Sequence, residues 1–205
     1  TNFNHRMIIA KTPLNINLRE VFKLAFTNTS RWLAIDNHTL YRLDWHAVAL
    51  LNQSTVPQTG NMVVIGGAGA VGSKLVKHLA TFHQSRVFIL GRRDIDSRMQ
   101  QQFKKDGVKS YFKVDIEDVN QLTNTLTHIK QKYGDINTIY HLAGVIKDKL
   151  FQNKSKDDFT SVIKVKVLGL ESLSKVSPII RPQSVVCFSS ITGVIGNVGQ
   201  ADYAA

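Results

Sequence analysis

The sequence predicts an α/β protein built on a doubly wound parallel sheet, and three observations carry that prediction. From Met62 onward, short apolar runs alternate with stretches of helical periodicity, the pattern of strands covered by helices on both faces. A glycine cluster from Gly66 to Gly72 joins the first of those runs to the first helix. Before Gly60 the alternation is lost, and Val56-Pro57-Gln58-Thr59-Gly60 reads as a linker, with Pro and Gly bracketing polar residues. Two units are expected, residues 1–57 and residues 58–205.

In the first unit, Met7 to Ala10 is a short apolar run expected as a strand. Leu18 to Phe26 sets Leu18, Val21, Phe22, Leu24 and Ala25 at roughly helical spacing. Arg31 to Asp36 and Thr39 to Asp44, joined across Asn37-His38, are expected as a hairpin. No catalytic constellation stands there. A unit of this length is near the lower limit for a core of its own, so it is expected to pack on something larger.

In the second unit, Met62 to Ile65 is the first strand, and a helix from about Ala70 to Thr81 places Val71, Leu75, Val76 and Leu79 on one face. Further strands are expected at Val87–Leu90, Tyr111–Ile116, Thr138–Leu142 and Ser184–Phe188, with helices around Asp94–Asp106, Val119–Tyr133 and Phe159–Val176. Right-handed crossovers between parallel strands then point to a Rossmann-like sheet.

Composition narrows the function classes. Hydrophobic residues are 43% and charged residues 20% of the 205, which argues against disorder. The uncharged stretches Ala47–Ser73 and Pro182–Ala201 are broken by Pro, Gly, Asn, Gln or Ser, so neither offers a membrane helix. Thr1 to Arg6 lacks the apolar core of a signal peptide. The single Cys187 cannot form an internal disulfide, and no cluster suggests a structural metal. Lys and Arg outnumber Asp and Glu by 26 to 15. The excess is spread along the chain in runs of no more than two and matches no familiar nucleic-acid motif. A cytoplasmic protein without nucleic-acid or membrane partners is expected, its partners anionic, such as a dinucleotide or an acidic carrier protein.

Gly67, Gly69 and Gly72 have the spacing GxGxxG within Gly66-Gly67-Ala68-Gly69-Ala70-Val71-Gly72. Chemistry asks for glycines there: a tight turn, close approach of backbone to a pyrophosphate, and close packing of helix on strand. The helix that opens at the loop also offers free N–H groups and a positive dipole end to phosphate. The second strand ends Leu90-Gly91-Arg92-Arg93, with no carboxylate to hold a ribose 2′-hydroxyl. An arginine at that place receives a 2′-phosphate, so NADPH is expected over NADH. Asp94 and Asp96 are expected to cap the next helix.

Ser189-Ser190-Ile191-Thr192-Gly193 closes the fifth strand, and Tyr203 follows Ser190 by thirteen residues. With the glycine loop, Val114-Asp115, His141-Leu142-Ala143-Gly144-Val145, Lys166-Val167-Leu168-Gly169, Phe188-Ser189-Ser190 and Gly199-Gln200-Ala201-Asp202-Tyr203-Ala204-Ala205, the chain resembles the short-chain dehydrogenase/reductase superfamily. It resembles most the ketoreductase domains of modular polyketide synthases. The resemblance implies that Gly66, Gly67, Gly69, Gly72, Arg92, Asp115, Ala143 and Gly144 bind NADPH. It implies that Ser190 and Tyr203 donate hydrogen bonds to a ketone, Tyr203 giving its proton as hydride arrives. A free tyrosine is a sluggish acid near neutrality and needs a nearby cation. The resemblance assigns that cation to Lys166, 24 residues before Ser190. Lys164 is its near rival, and a spacing of two on a helix is about 200° of rotation, so only one can face the cleft.

The implied substrate is a β-ketoacyl group on an acyl carrier protein, and the implied neighbours are other synthase domains. Ile65 stands where the family carries a threonine before the glycine loop. The family's fourth catalytic residue falls four positions after Tyr203, beyond Ala205, and the last two strands and the lid helix are also absent. The chain is therefore expected to be part of a larger ketoreductase, truncated after the fifth strand, with residues 1–57 as the C-terminal part of the non-catalytic subdomain. A free-standing alcohol dehydrogenase and a non-catalytic scaffold of the same fold stay open as alternatives. Asparagine four positions after Tyr203 would mark the synthase domain, and lysine the free-standing enzyme. Ile146-Lys147-Asp148 retains the last aspartate of a Leu-Asp-Asp motif that accompanies D-hydroxyl products. Ile195 stands where a tryptophan accompanies the opposite hand. Asp148 is thus expected to orient substrate, or else to pair with Lys147 or Lys149 in solvent.

Overall fold

A computed structural model describes residues 59–205 and, as backbone, the strands at residues 7–10, 32–36 and 39–42. In the first unit β1 (Met7–Ala10) runs parallel to β2 (Trp32–Asp36), which pairs antiparallel with β3 (Thr39–Arg42). The two strands of the expected hairpin pair with Asp36 opposite Thr39, and Asn37-His38 lies outside the described residues. The helix expected at Leu18 to Phe26 and the linker residues 56–58 lie outside the described residues.

The second unit is a five-stranded, wholly parallel sheet. Its strands are β4 (Asn61–Ile65), β5 (Arg86–Gly91), β6 (Val108–Lys113), β7 (Ile136–His141) and β8 (Ser184–Cys187), in the order β6-β5-β4-β7-β8. The chain winds outward from β4 in one direction and then in the other. The crevice beyond the carboxyl ends of β4 and β7 is therefore the switch point, where such sheets take ligands.

Period-two alternation in β4 divides the core into two layers. Met62 and Val64 face α1 (Ala70–Phe82) and α2 (Ser97–Lys105), packing with Val76, Leu79 and Phe103. Val63 and Ile65 face α3 (Val119–Tyr133) and α4 (Lys156–Ile180), packing with Leu122, Leu126, Ile129, Leu173 and Val176. Two single turns follow β8: α5 (Thr192–Ile195) and α6 (Ala201–Ala204).

Four expectations are corrected. Val71 is 62% exposed; Gly72 takes the buried position on α1. The third strand is Val108–Lys113 rather than 111–116. It is an edge strand with half-exposed side chains, whereas Val114 and Ile116, the apolar end of the expected run, pack into the core after leaving the ladder. The last long helix runs to Ile180, past Val176, carrying Pro178 in its final turn and ending at Arg181 with φ +56°. A proline disfavours helix at the residue before it, but this one lies close enough to the helix end to remove only one late bond. Asp96 caps α2, accepting from Met99 N at 2.7 Å, while Asp94 instead pairs with Lys113 at 2.7 Å. No helix among the described residues is long and apolar enough to cross a membrane.

Candidate active site

The glycine loop leaves β4 through Gly66, whose φ of +85° favours glycine and whose N–H donates to Leu90 O at 2.9 Å. A Cβ on Gly66 would stand 2.7 Å from Ala143 N, because the segment after β7 closes directly on the loop. Gly67 packs instead, its Cβ position 3.1 Å from Ile89 and Val76 side chains. Gly69 ends the loop in extended conformation as the N-cap of α1. No side chain caps that helix, and its first turn holds no acidic residue, so its leading N–H groups are left for an anion.

A cleft of about 420 Å3 opens over the loop, lined among others by Gly66, Gly69, Arg92, Ala143 and Gly144. Gly67 and Gly72 lie behind this wall. Asp115 is also outside the lining: its carboxylate accepts from Glu117 N at 3.0 Å, and its neighbours Val114 and Ile116 form the wall. Arg92 sits at the end of β5 with its side chain 49% exposed and Nη1 3.9 Å from Glu117 Oε1. That is a loose pairing, and it leaves the guanidinium available. Arg92 also borders a second cavity, of about 420 Å3, with Glu117, Lys147 and Lys164.

These residues fit a nicotinamide dinucleotide. The glycine at positive φ, the side-chain-free approach to α1 and the strand-end cation form a cradle whose shape a Cβ at Gly66 or Gly72 would disturb by striking backbone atoms behind it.

Helix α4 separates the two rival lysines. Its buried face runs through Val162, Val165, Gly169, Leu173 and Val176. Lys166 lies along the edge of that face, and its Nζ donates to Phe188 O at 2.8 Å, at the end of β8 and two residues before Ser190. Its Cε would be 3.4 Å from a Cβ on Gly144. Burial lowers its pKa below the ordinary lysine value, with Cys187 acting weakly in the opposite direction. Lys164 turns to the second cavity.

Ser190 is held by the turn it opens. Its Oγ accepts from Thr192 N at 3.1 Å and its carbonyl accepts from Gly193 N at 3.1 Å. A hydroxyl that accepts through a lone pair retains its proton for donation. Tyr203 is half-buried on α6, which packs against α4 and α5. Asp148 is exposed and accepts from Gln200 Nε2 at 3.0 Å. It pairs with neither flanking lysine among the described contacts; Lys149 goes to Asp158 at 2.6 Å, and together with Ser155 it holds the Asp158 carboxyl down to about 2.

Two features of this region escaped the sequence reading. His141, at the end of β7, is 1% exposed, and neither ring nitrogen makes a hydrogen bond of good geometry. Burial, then the charge of Lys166, lowers its pKa to about 4, against a weak opposing interaction with the Val165 backbone. The ring is also covered by Gly169, whose Cβ position is 3.3 Å away. The second feature is an ion pair between Lys154 and Asp202, 2.8 Å long, with side chains 2% and 1% exposed. No local pattern links residues 48 apart.

The parallel sheet, the glycine cleft at its switch point and the serine and lysine gathered at the ends of β7 and β8 define a protein of the short-chain dehydrogenase/reductase type. The model of the KR domain family matches residues 60–205, and the chain belongs to that family, the ketoreductase domains of polyketide synthases. Polyketide synthase PksN of Bacillus subtilis (strain 168) is 30% identical over 186 residues, which is 87% of this chain and 3% of PksN. Polyketide synthase PksL of the same organism is 34% identical over 150 residues, 71% of this chain and 3% of PksL. Among solved structures, a ketoreductase domain from the bacillaene assembly line superposes with a TM-score of 0.78 at 25% identity, covering 97% of this chain and 49% of that one. A structure of A-type ketoreductases from a modular polyketide synthase gives 0.73 at 21% identity, covering 97% and 44%. At that identity the likeness is one of fold alone. The chain thus spans about half of each of these solved ketoreductase chains and a few per cent of the curated synthases it matches.

Proposed function

We propose that this chain reduces a β-ketoacyl group on an acyl carrier protein to a β-hydroxyacyl group, the D-hydroxyl form, as the NADPH-binding part of a synthase with neighbouring domains. The observation that carries the reading is Lys166, which α4 turns to the carbonyl beside Ser190 at the edge of the glycine cleft while Lys164 turns away. Residues 1–57 are read as the C-terminal part of the non-catalytic subdomain and residues 58–205 as catalytic.

When bound, NADPH supplies the hydride. The loop at Gly66 and Gly69 and the uncapped start of α1 would hold its diphosphate. Arg92 would take the 2′-phosphate, and the small residues Ala143 and Gly144, in the same cleft, would leave room for the rest of it. Ser190 donates to the ketone oxygen, and Tyr203 donates a second bond and then its proton, so charge growing on oxygen meets two fixed donors. Lys166 supplies positive charge at the Phe188 carbonyl, two residues before Ser190, where it favours negative charge developing on the ketone oxygen. Asp148, whose carboxylate is tied to Gln200 in the segment leading to Tyr203, is read as orienting the carrier-bound arm.

The test uses the intact ketoreductase and a short β-ketoacyl thioester. Tyr203→Phe is expected to abolish NADPH oxidation while the cofactor still binds, because only the acid is lost. Turnover by Tyr203→Phe at the wild-type rate overturns the reading.

A further inference from the structure

We infer that Lys154 and Asp202 are positioning residues that hold Tyr203 in place, which rests on the reading of Tyr203 as proton donor. The segment 147–154 and the segment 199–203 are tied by three bonds. Lys149 N donates to Gly199 O at 3.0 Å, Gln200 Nε2 donates to Asp148 Oδ1 at 3.0 Å, and Lys154 Nζ donates to Asp202 Oδ2 at 2.8 Å. The first two lie where water competes. The third is sealed, with both side chains at 2% exposure or less.

Tyr203 stands in the first turn of α6, directly after Asp202. The position of its phenol depends on how that turn is fastened to the rest of the domain. Asp202 fastens it twice: Oδ1 accepts from Tyr203 N at 2.9 Å, and Oδ2 accepts from Lys154. Lys154 is itself anchored, donating also to Lys147 O at 2.6 Å. Two bonds meet on one ammonium and two on one carboxylate, so the backbone nitrogen of Tyr203 is connected through a buried chain to the loop after β7. A buried ion pair is poor evidence of stabilisation, because desolvation offsets attraction, but it demands one geometry. An apolar pair of similar volume would fill the space without that demand.

The experiment compares four forms of the intact ketoreductase with the wild type: Lys154→Met, Asp202→Asn, Lys154→Arg, and the double variant Lys154→Met with Asp202→Leu. The readouts are melting temperature, NADPH affinity by fluorescence, and kcat and KM for a short β-ketoacyl thioester. The single neutral variants should lose about tenfold to a hundredfold in kcat, the usual effect of misplacing a catalytic group by an ångström. NADPH affinity and KM should stay within about twofold, a split that a general loss of structure would not produce. Lys154→Arg should restore most of kcat. The double variant leaves no buried charge unpaired and should fold even where the single ones do not, yet its kcat should remain low. A folded double variant with wild-type kcat overturns the inference. Wild-type turnover by Tyr203→Phe would instead overturn the reading of Tyr203, so the two failures are distinguishable.

Discussion

Gly66 and Gly72 are locked together: a Cβ on Gly72 would lie 2.4 Å from the Gly66 carbonyl oxygen and 2.7 Å from Gly67 Cα. Alanine inside a helix is ordinarily worth about 1 kcal/mol over glycine. Here backbone atoms block it on the loop side, and the contact cannot be relieved by a side-chain rotation. Gly72→Ala is expected to destabilise the domain by about 1–3 kcal/mol, the usual cost of overpacking. It should also displace the loop enough to weaken NADPH binding. Thermal unfolding and cofactor titration check it, and a Tm above wild type contradicts it.

Arg92 pairs with Glu117 across 3.9 Å, a separation at which little stability is at stake on a half-exposed surface. Arg92→Ala should therefore leave the melting temperature nearly unchanged. A charge-assisted phosphate contact is worth about 1.5–3 kcal/mol, so NADPH should bind roughly tenfold to a hundredfold more weakly. NADH affinity should scarcely move. Equal losses for both cofactors would remove the 2′-phosphate from Arg92.

Lys166→Ala is expected to lower turnover more than Lys164→Ala, because only Lys166 reaches the Phe188 carbonyl beside Ser190. Loss of a group that aids proton transfer commonly costs about a hundredfold or more. Steady-state rates of the two variants decide it, and a larger loss at Lys164 reverses the assignment.

His141 makes stability depend on acidity. Its pKa falls to about 4 in the folded protein through burial and the nearby Lys166, against about 6.5 in an unfolded chain. The unfolded state then binds more protons between those values, so stability is full above pH about 6.5 and is lost as pH falls toward 4. At about 1.4 kcal/mol per unit the loss is of order 3 kcal/mol. His141→Leu removes the titration, and its urea midpoint should fall less than the wild type's between neutral and acid pH. Parallel curves would mean that His141 titrates normally.

The proposed role of Asp148 in the hand of the product can be tested directly. Because it accepts from Gln200, three residues before Tyr203, it borders the segment that presents the acid. The intact ketoreductase acting on a short β-ketoacyl thioester should give mainly the D-hydroxyl product. A single groove contact of about 1.4 kcal/mol suffices for tenfold discrimination. Chiral analysis showing mainly the L product would deny Asp148 that meaning.

Strands β4, β5 and β7 and helix α3 could be read from sequence because each is a continuous apolar run or a clean helical stripe with a cap, such as Asp118 accepting from Asn120 N and Gln121 N ahead of α3. Strand β6 starts and ends earlier than the apolar run predicts because an edge strand need not be apolar, and the apolar residues beside it, Val114 and Ile116, serve the core from a loop. The lysine assignment became visible as a geometry only once the register of α4 was set by Val162, Val165 and Gly169. Asp202 looked like one more polar residue beside Tyr203. Its burial depends on Lys154, and a contact 48 residues distant leaves no local periodicity to read. His141 likewise sits in a quoted motif, but its lack of hydrogen-bond partners is a property of the packed interior alone.

The unfinished start of α1 has a thermodynamic consequence. A helix with Gly69 as its cap and no side-chain acceptor begins with donors that the chain itself leaves unsatisfied. Oxygen atoms of a bound diphosphate would complete it, so occupancy and folding share one free-energy cycle. Saturating cofactor at a hundred times its dissociation constant contributes about 2.7 kcal/mol to the folded state. Amide exchange at Ala70 and Val71 then becomes a gauge of occupancy, slow when the phosphates are seated and fast when they leave.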